Sequence, residues 1–338
     1  MVGRHPGHTT TQGQILSDLF SQAGYPVMIA SDQLNRYSRL ADIVRTLIRE
    51  RHNIDILVLE IYGGPSFVVE DIASALGCCF GQRVIMWLHG GAMPTFMARY
   101  PRWTRRVLRR ADLLVVPSPY LARAVTTRGF SARVIPNVID LPVYVYRQRR
   151  LLYPRLFWMR SFHPIYNPEL ALRALARLRR SVPAARLVMA GTDGGSEADV
   201  RDLAEELGLG GAVSFAGFLD MAEKVRIGQD SDIFLNTSRV DNMPVSLMEA
   251  CAMGLPIVST AVGGVPDLMA DRQTALLVAD NDDEGVVQAV EQLLADPDLT
   301  EKLSRNGRRL AERSSWNQVR PKWEEIFLEL QSMRKSLR

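Results

Sequence analysis

The chain contains no run of eighteen apolar residues, so no stretch of it suits a transmembrane helix. Its first fourteen residues, MVGRHPGHTTTQGQ, carry no apolar core, and no secretory signal is expected there. Cysteine is scarce: Cys78, Cys79 and Cys251 are too few and too scattered for a disulfide framework or a zinc cluster, which favours a reducing, cytoplasmic setting. Lysine is absent before Lys224, so the basicity of the first half rests on arginine. What is present is ordinary for packed protein: 338 residues, 47% apolar and 23% charged, enough for two domains and too apolar for wholesale disorder. Residues 1–150 carry a net +9 and the remainder a net −5, a split that suits halves facing different partners.

Short apolar, β-branched runs recur with helical stretches between them. Strands are expected at 27–30, 54–60, 84–88, 112–116 and 133–135, and a second series at 156–160, 186–190, 213–216, 232–236, 257–260 and 275–278. Near-continuous apolar strands alternating with helices predict parallel sheets covered on both faces, here two doubly wound domains with ligands at the carboxyl ends of their strands. The boundaries expected are 1–148, 149–317 and a last segment 318–338, with Pro142, Pro154 and the basic run 147–150 marking the break. The start departs from this pattern. Gly13 and a helix-like stretch arrive with almost nothing before them, so the first strand of the N-terminal domain is expected to be missing, through a start site placed too far downstream or because the chain is a fragment.

The densest chemistry lies between Asp232 and Val278. A strand ends in the polar loop 237–243, a helix opens near Pro244, and Gly254 with Pro256 stops it. Such a turn aims free N–H groups and a positive dipole end above the sheet, where phosphate is the natural guest. Asp241 and Glu249 flank the turn, and two carboxylates beside an anion site make sense when the ligand also carries hydroxyls, as sugars do.

This segment resembles the donor site of glycosyltransferase family 4, in the GT-B superfamily, whose members carry a Glu-x7-Glu signature before a small-residue helix end and a Gly-Gly turn. The chain has Asp241-x7-Glu249, then Gly254, Pro256, Gly263 and Gly264 in register, with VIPNVIDL at the linker and SSWNQV near the C-terminus also in keeping. The resemblance implies a retaining, metal-independent transferase of α/β fold, two Rossmann-like domains around a cleft, using a nucleotide diphosphate sugar as co-substrate and no other cofactor. It implies that Glu249 binds ribose hydroxyls, that Asp241 holds the transferred sugar, and that Asn242, Met243 and Pro244 lie along sugar and phosphates. Gly263 and Gly264 would let backbone approach the donor. His89, ending the strand before Gly90 and Gly91, would face the sugar from the N-terminal domain, Gly13 would offer an N–H to the phosphates, and Arg160 would bind the diphosphate. The last helix would return to the first domain.

The chain departs from the family after Arg160. Relatives supply a lysine about six residues later, followed by glycine; here Tyr166 and Asn167 stand there, leaving charge for His163 or helix-end N–H groups to balance. An Asp-x-Asp pair, Asp230 and Asp232, starts a strand where a metal-binding pair would end one, so no metal is expected. The segment 96–110, from Phe96 to Arg110, holds six arginines among aromatic and apolar residues. It suits either peripheral contact with an anionic membrane or a lipid-linked acceptor, or a solvated helix packed on its own sheet. No nucleic-acid motif accompanies it. The acceptor is left as a glycan, a lipid-linked sugar or a small molecule. A nucleotide-sugar epimerase or hydrolase and a non-catalytic binding protein are the alternatives.

Overall fold

The structure, a computed structural model, describes residues 10–335. The chain divides into two compact units, one built from the residues up to Val138 together with those from Trp316 onward, the other Ile139–Ser315. The first boundary thus falls ten residues before the one expected, at 138 and not 148. The reason is that Ile139 and Tyr144 are buried in a core of the second unit and the Arg147 N–H donates to the Met253 carbonyl at 3.2 Å. Nor does the basic run mark a linker: Arg149 is fully buried in the second unit, donating to the carbonyls of Gly228 at 2.8 Å, Ser231 at 3.1 Å and Met253. Burial brings its pKa down to about 9.

In the first unit, helices α1 (Gln12–Gln22) and α2 (Arg36–Arg49) precede a parallel sheet of β1 (Ile56–Ile61), β2 (Arg83–Leu88), β3 (Leu113–Val116) and β4 (Arg133–Val134), in that spatial order. Helices α3 (Phe67–Cys79), α4 (Met93–Arg99), α5 (Pro101–Leu108) and α6 (Pro119–Thr126) fill the crossovers. Strand β2 is buried on both sides by simple alternation: Val84, Met86 and Leu88 enter one core with Phe67, Met97, Val107 and Leu121, while Ile85 and Trp87 enter the other with Leu16 and Phe20.

The expected strand at 27–30 meets a correction here. Residues 27–30 form no strand, and Val27, Met28 and Ile29 are 41%, 51% and 39% exposed. Apolar composition makes a strand only when a neighbouring ladder takes up its N–H and C=O groups. Among the described residues no strand precedes β1, whose outer edge has no partner. The region 1–12, where a first strand was in question, lies mostly outside the described residues; Thr10 and Thr11 are not in a strand, and α1 begins at Gln12.

Segment 96–110 is split by Pro101, which starts α5. Met97, Val107 and Leu108 point into the core, and Trp103 donates from Nε1 to Asp71 at 2.6 Å. Arg99, Arg102, Arg105, Arg106 and Arg109 stay exposed, so the outer face is arginine with little apolar surface beside Tyr100.

The second unit is a six-stranded parallel sheet in the order β10-β9-β8-β5-β6-β7. Its strands are β5 (Arg155–Met159), β6 (Arg186–Ala190), β7 (Val213–Gly217), β8 (Ile233–Asn236), β9 (Ile257–Thr260) and β10 (Leu276–Val278). Its helices are α7 (Pro168–Leu178), α8 (Glu197–Glu206), α9 (Met221–Asp230), α10 (Val245–Ala252), α11 (Val265–Leu268), α12 (Asp283–Ala295) and α13 (Pro297–Glu312). Leu156 and Trp158 of β5 face one core, Phe157 and Met159 the other. From β5 the chain winds outward through β6 and β7, then returns to lay β8, β9 and β10 on the other side. The point where the winding reverses therefore lies between β5 and β8, and open sheets of this kind take ligands there, beyond the strands' carboxyl ends.

Helix α14 (Trp316–Lys335) completes the first unit. Val319, Trp323, Ile326 and Leu330 form one helical stripe packed with Leu16, Phe20 and Trp87. No described helix is long and apolar enough to cross a membrane.

Candidate functional site

The two segments that leave the switch point of the second sheet carry Arg160 and Asp241. Arg160 follows β5 and Asp241 sits in the loop after β8, and Arg160 Nη2 donates to Asp241 Oδ2 at 2.5 Å. Ser238 Oγ also donates to Oδ2, at 3.3 Å, and the Asn242 N–H donates to Oδ1 at 2.9 Å, so both oxygens of this buried carboxylate are held. The guanidinium of Arg160 lies over the Tyr166 ring, 4.0 Å from its centroid.

The loop is tied down along its length. Trp158 Nε1 donates to Thr237 Oγ1 at 2.9 Å, and Thr237 Oγ1 donates to the Tyr166 carbonyl at 2.9 Å. Asn242 and Met243 are buried, and Pro244 caps α10 with an extended backbone, one residue before the helix proper. A proline at the cap contributes no side-chain acceptor; the Leu247 N–H turns back to the Pro244 carbonyl at 3.2 Å, and no side chain caps the first turn of α10, which leaves its dipole end exposed to a ligand.

Glu249 lies in the second turn of α10 and is buried. Its Oε1 accepts from Tyr144 Oη at 2.7 Å and from Lys224 Nζ at 2.6 Å. Burial, then the adjacent Glu249 carboxylate, pushes the Tyr144 phenol well above its ordinary range. Neither partner was singled out from sequence. Tyr144 is 105 positions away, and the one signal for Lys224 was that it is the first lysine in the chain.

Gly263 and Gly264 meet the same loop from the other side. The Gly264 N–H donates to the Asp241 carbonyl at 2.9 Å, and Gly263 has φ +55°. Glycine at 263 is therefore demanded by its approach to the Asp241 backbone, a steric reason the sequence pattern did not reveal.

His89 follows β2 in the first unit, where its N–H donates to the Ile61 carbonyl at 2.8 Å. The imidazole is buried, stacked 5.2 Å from the Tyr62 ring, with Nε2 3.6 Å from Glu60 Oε1. Burial lowers its pKa to about 3, so it is neutral at physiological pH. Glu60, missed by the sequence reading, also decides the fate of Gly13. The Gly13 N–H donates to Glu60 Oε1 at 2.7 Å, and a Cβ at Gly13 would lie 2.6 Å from Glu60 Cδ. The N–H expected to meet a phosphate is thus already used, and an internal carboxylate stands at the start of α1. Desolvation raises the pKa of Glu60.

The remaining sequence candidates fall elsewhere. His163 is exposed and its Nδ1 accepts from the Ile165 N–H at 3.1 Å, which leaves only Nε2 to meet a ligand. Asp232 lies before β8, at the end of the sheet opposite Asp241, fully buried and paired with Arg155 at 2.6 Å and Arg147 at 3.1 Å. It neutralises structural arginines. Among the described residues no three His, Cys, Asp or Glu side chains gather as metal ligands.

Comparison with known proteins finds matches in both units. The family model described as Glycosyltransferase Family 4 matches residues 19–142, and that described as Glycosyl transferases group 1 matches residues 153–310. Among curated proteins, the D-inositol 3-phosphate glycosyltransferase of Stackebrandtia nassauensis is 31% identical over 162 residues, covering 46% of this chain and 37% of that protein. The lipopolysaccharide core biosynthesis glycosyltransferase LpsE of Rhizobium meliloti is 30% identical over 206 residues, 59% of this chain and 58% of that protein. The matched stretches therefore span less than two thirds of either relative. Among solved structures, sucrose-phosphate synthase from Thermosynechococcus elongatus superposes with a TM-score of 0.78 at 17% identity, covering 95% of this chain and 93% of that one. HepE of Anabaena in complex with UDP-glucose gives 0.74 at 17% identity, covering 93% and 89%. Matched in both halves by models of these enzymes and folded as they are, the chain belongs to glycosyltransferase family 4, with the GT-B fold.

Proposed function

We propose that the chain transfers a sugar from a nucleotide diphosphate sugar to an acceptor, with retention of configuration and without a metal ion. One observation supports this reading: Arg160 and Asp241 are paired beyond β5 and β8 at the switch point of the second sheet, just before the start of α10, and Glu249 lies in the second turn of that helix. A helix N-terminus beside a guanidinium suits a diphosphate, and carboxylates on either side suit hydroxyls.

In this reading Arg160 and the backbone at Asn242, Met243 and Pro244 receive the phosphates and stabilise the charge that grows on the departing diphosphate. Glu249, with Oε1 committed to Tyr144 and Lys224, offers Oε2 to the ribose hydroxyls. Asp241 holds hydroxyls of the transferred sugar, beside the Gly263–Gly264 turn. His89, held neutral by burial, serves any sugar it meets as a hydrogen-bonding group and not as a cation. The Gly13 N–H becomes available to a phosphate only if its bond to Glu60 opens. The acceptor is a glycan, a lipid-linked sugar or a small molecule, and the exposed arginines of 96–110 give peripheral contact with the inner face of a membrane an electrostatic basis.

The test is a thermal-shift screen of uridine, guanosine and adenosine diphosphate sugars, led by UDP-glucose because HepE is solved with it. One sugar nucleotide should raise the unfolding midpoint, by about 2.7 kcal/mol of added stability at a hundred times Kd. No shift at millimolar concentration from any of them defeats the reading. Conversion of donor alone to an epimer or free sugar at the full turnover rate would favour an epimerase or hydrolase.

A further inference from the structure

Two guanidinium groups flank one short turn of the second unit. Arg160 lies over the ring of Tyr166, and Arg239, in the loop after β8, donates from Nη2 to Asn167 Oδ1 at 3.3 Å. Tyr166 and Asn167 are consecutive, and the loop is bound to their turn by the Arg239 N–H on the Ile165 carbonyl at 2.8 Å and by Thr237 Oγ1 on the Tyr166 carbonyl at 2.9 Å. Asn167 is fully buried in a left-handed conformation, φ 48°, so its amide is a fixed post for Arg239.

The two cations are in different electrostatic states. Arg160 is largely buried and already shares its charge with Asp241 at 2.5 Å. Arg239 is exposed, and its side-chain bond to the neutral Asn167 amide is long. No carboxylate among the described residues forms an ion pair with it. A diphosphate carries negative charge on both phosphorus centres, and a guanidinium shared with Asp241 cannot balance both. A cation two residues before Asp241, loosely parked on a rigid amide, is free to turn toward the second phosphate at little cost.

We infer that Arg239 is the second cation of the donor site, leaving Asn167 to bind a phosphate oxygen, and that it sets the preference for nucleoside diphosphates over monophosphates. The inference rests on the donor reading above. Its planar fork fits phosphate oxygens in pairs, whereas a lysine there would act as a point charge.

Calorimetric titration of the full chain with UDP, GDP and ADP, and with the three matching monophosphates, tests it. Arg239→Gln should weaken the preferred diphosphate about ten- to hundredfold while leaving its monophosphate unchanged. Arg239→Lys should recover part of the loss, and Arg160→Gln serves as the positive control. Because Arg239 is exposed, the Gln variant should unfold at the parent's temperature, which separates a lost contact from a lost fold. Equal diphosphate affinity in the parent and Arg239→Gln, with Arg160→Gln impaired, overturns the role of Arg239 alone. An equal loss for diphosphate and monophosphate also overturns it. If the parent binds none of the three diphosphates, the donor reading falls and this inference falls with it.

Discussion

Gly263 stands so close to Asp241 that a Cβ on it would lie 2.0 Å from the Asp241 carbonyl oxygen. Turn and loop are fitted backbone to backbone, so neither can shift without the other. Gly263→Ala adds that collision to a left-handed φ of +55° that an L side chain resists. The variant should lose about 2–4 kcal/mol of stability, and any donor affinity should fall with it as Asp241 is displaced. Denaturant unfolding and a donor titration read both effects. An alanine variant with parental stability would show that the loop yields freely.

Glu249 serves stability as well as any ligand. Its ion pair with Lys224 is largely screened from water, with side chains 9% and 19% exposed. Removing one member of such a pair leaves the other's charge stranded, at a cost of up to about 3 kcal/mol here. Glu249→Ala should therefore destabilise the protein by itself, and Glu249→Gln, which keeps the shape and the Tyr144 contact, is the better probe of ribose binding. A double-mutant cycle of Lys224→Met with Glu249→Gln should give a coupling energy of about 1–3 kcal/mol. Simple additivity would contradict the pairing.

Glu70, in the first turn of α3, has a buried Oε2 with no hydrogen-bond partner, and burial raises its pKa to about 8 from an ordinary 4.5. Between those values the folded state holds a proton that the unfolded chain has released, so stability should fall as pH rises from 4.5 to 8. At about 1.4 kcal/mol per unit the loss is at most roughly 5 kcal/mol. Glu70→Gln should remove this slope and unfold at a higher temperature than the parent at pH 8. Unfolding midpoints measured from pH 5 to 8 check it; parallel curves for the two proteins would refute the buried, protonated carboxyl.

The elements around the proposed donor site were legible because each is defined locally. Apolar runs mark β5 and β8, and Pro244, Gly254 and Pro256 punctuate α10. Residues 27–30 have the same composition but no ladder beside them among the described residues, and composition does not report a missing neighbour. Nor could the pattern show that Arg149 turns inward, since its acceptors are carbonyls near Gly228 and Met253, about 80 to 100 positions away. The partners Tyr144, Lys224 and Glu60 were hidden for the same reason: each contact joins distant segments, and the sequence shows both ends without the bond between them.

A structure of the protein bound to its preferred nucleoside diphosphate tests the central claim most directly. The diphosphate should lie within hydrogen-bonding distance of Arg160 and the first N–H groups of α10, with the ribose hydroxyls on Glu249. A nucleotide bound elsewhere, with Arg160 and Glu249 untouched, would contradict the account.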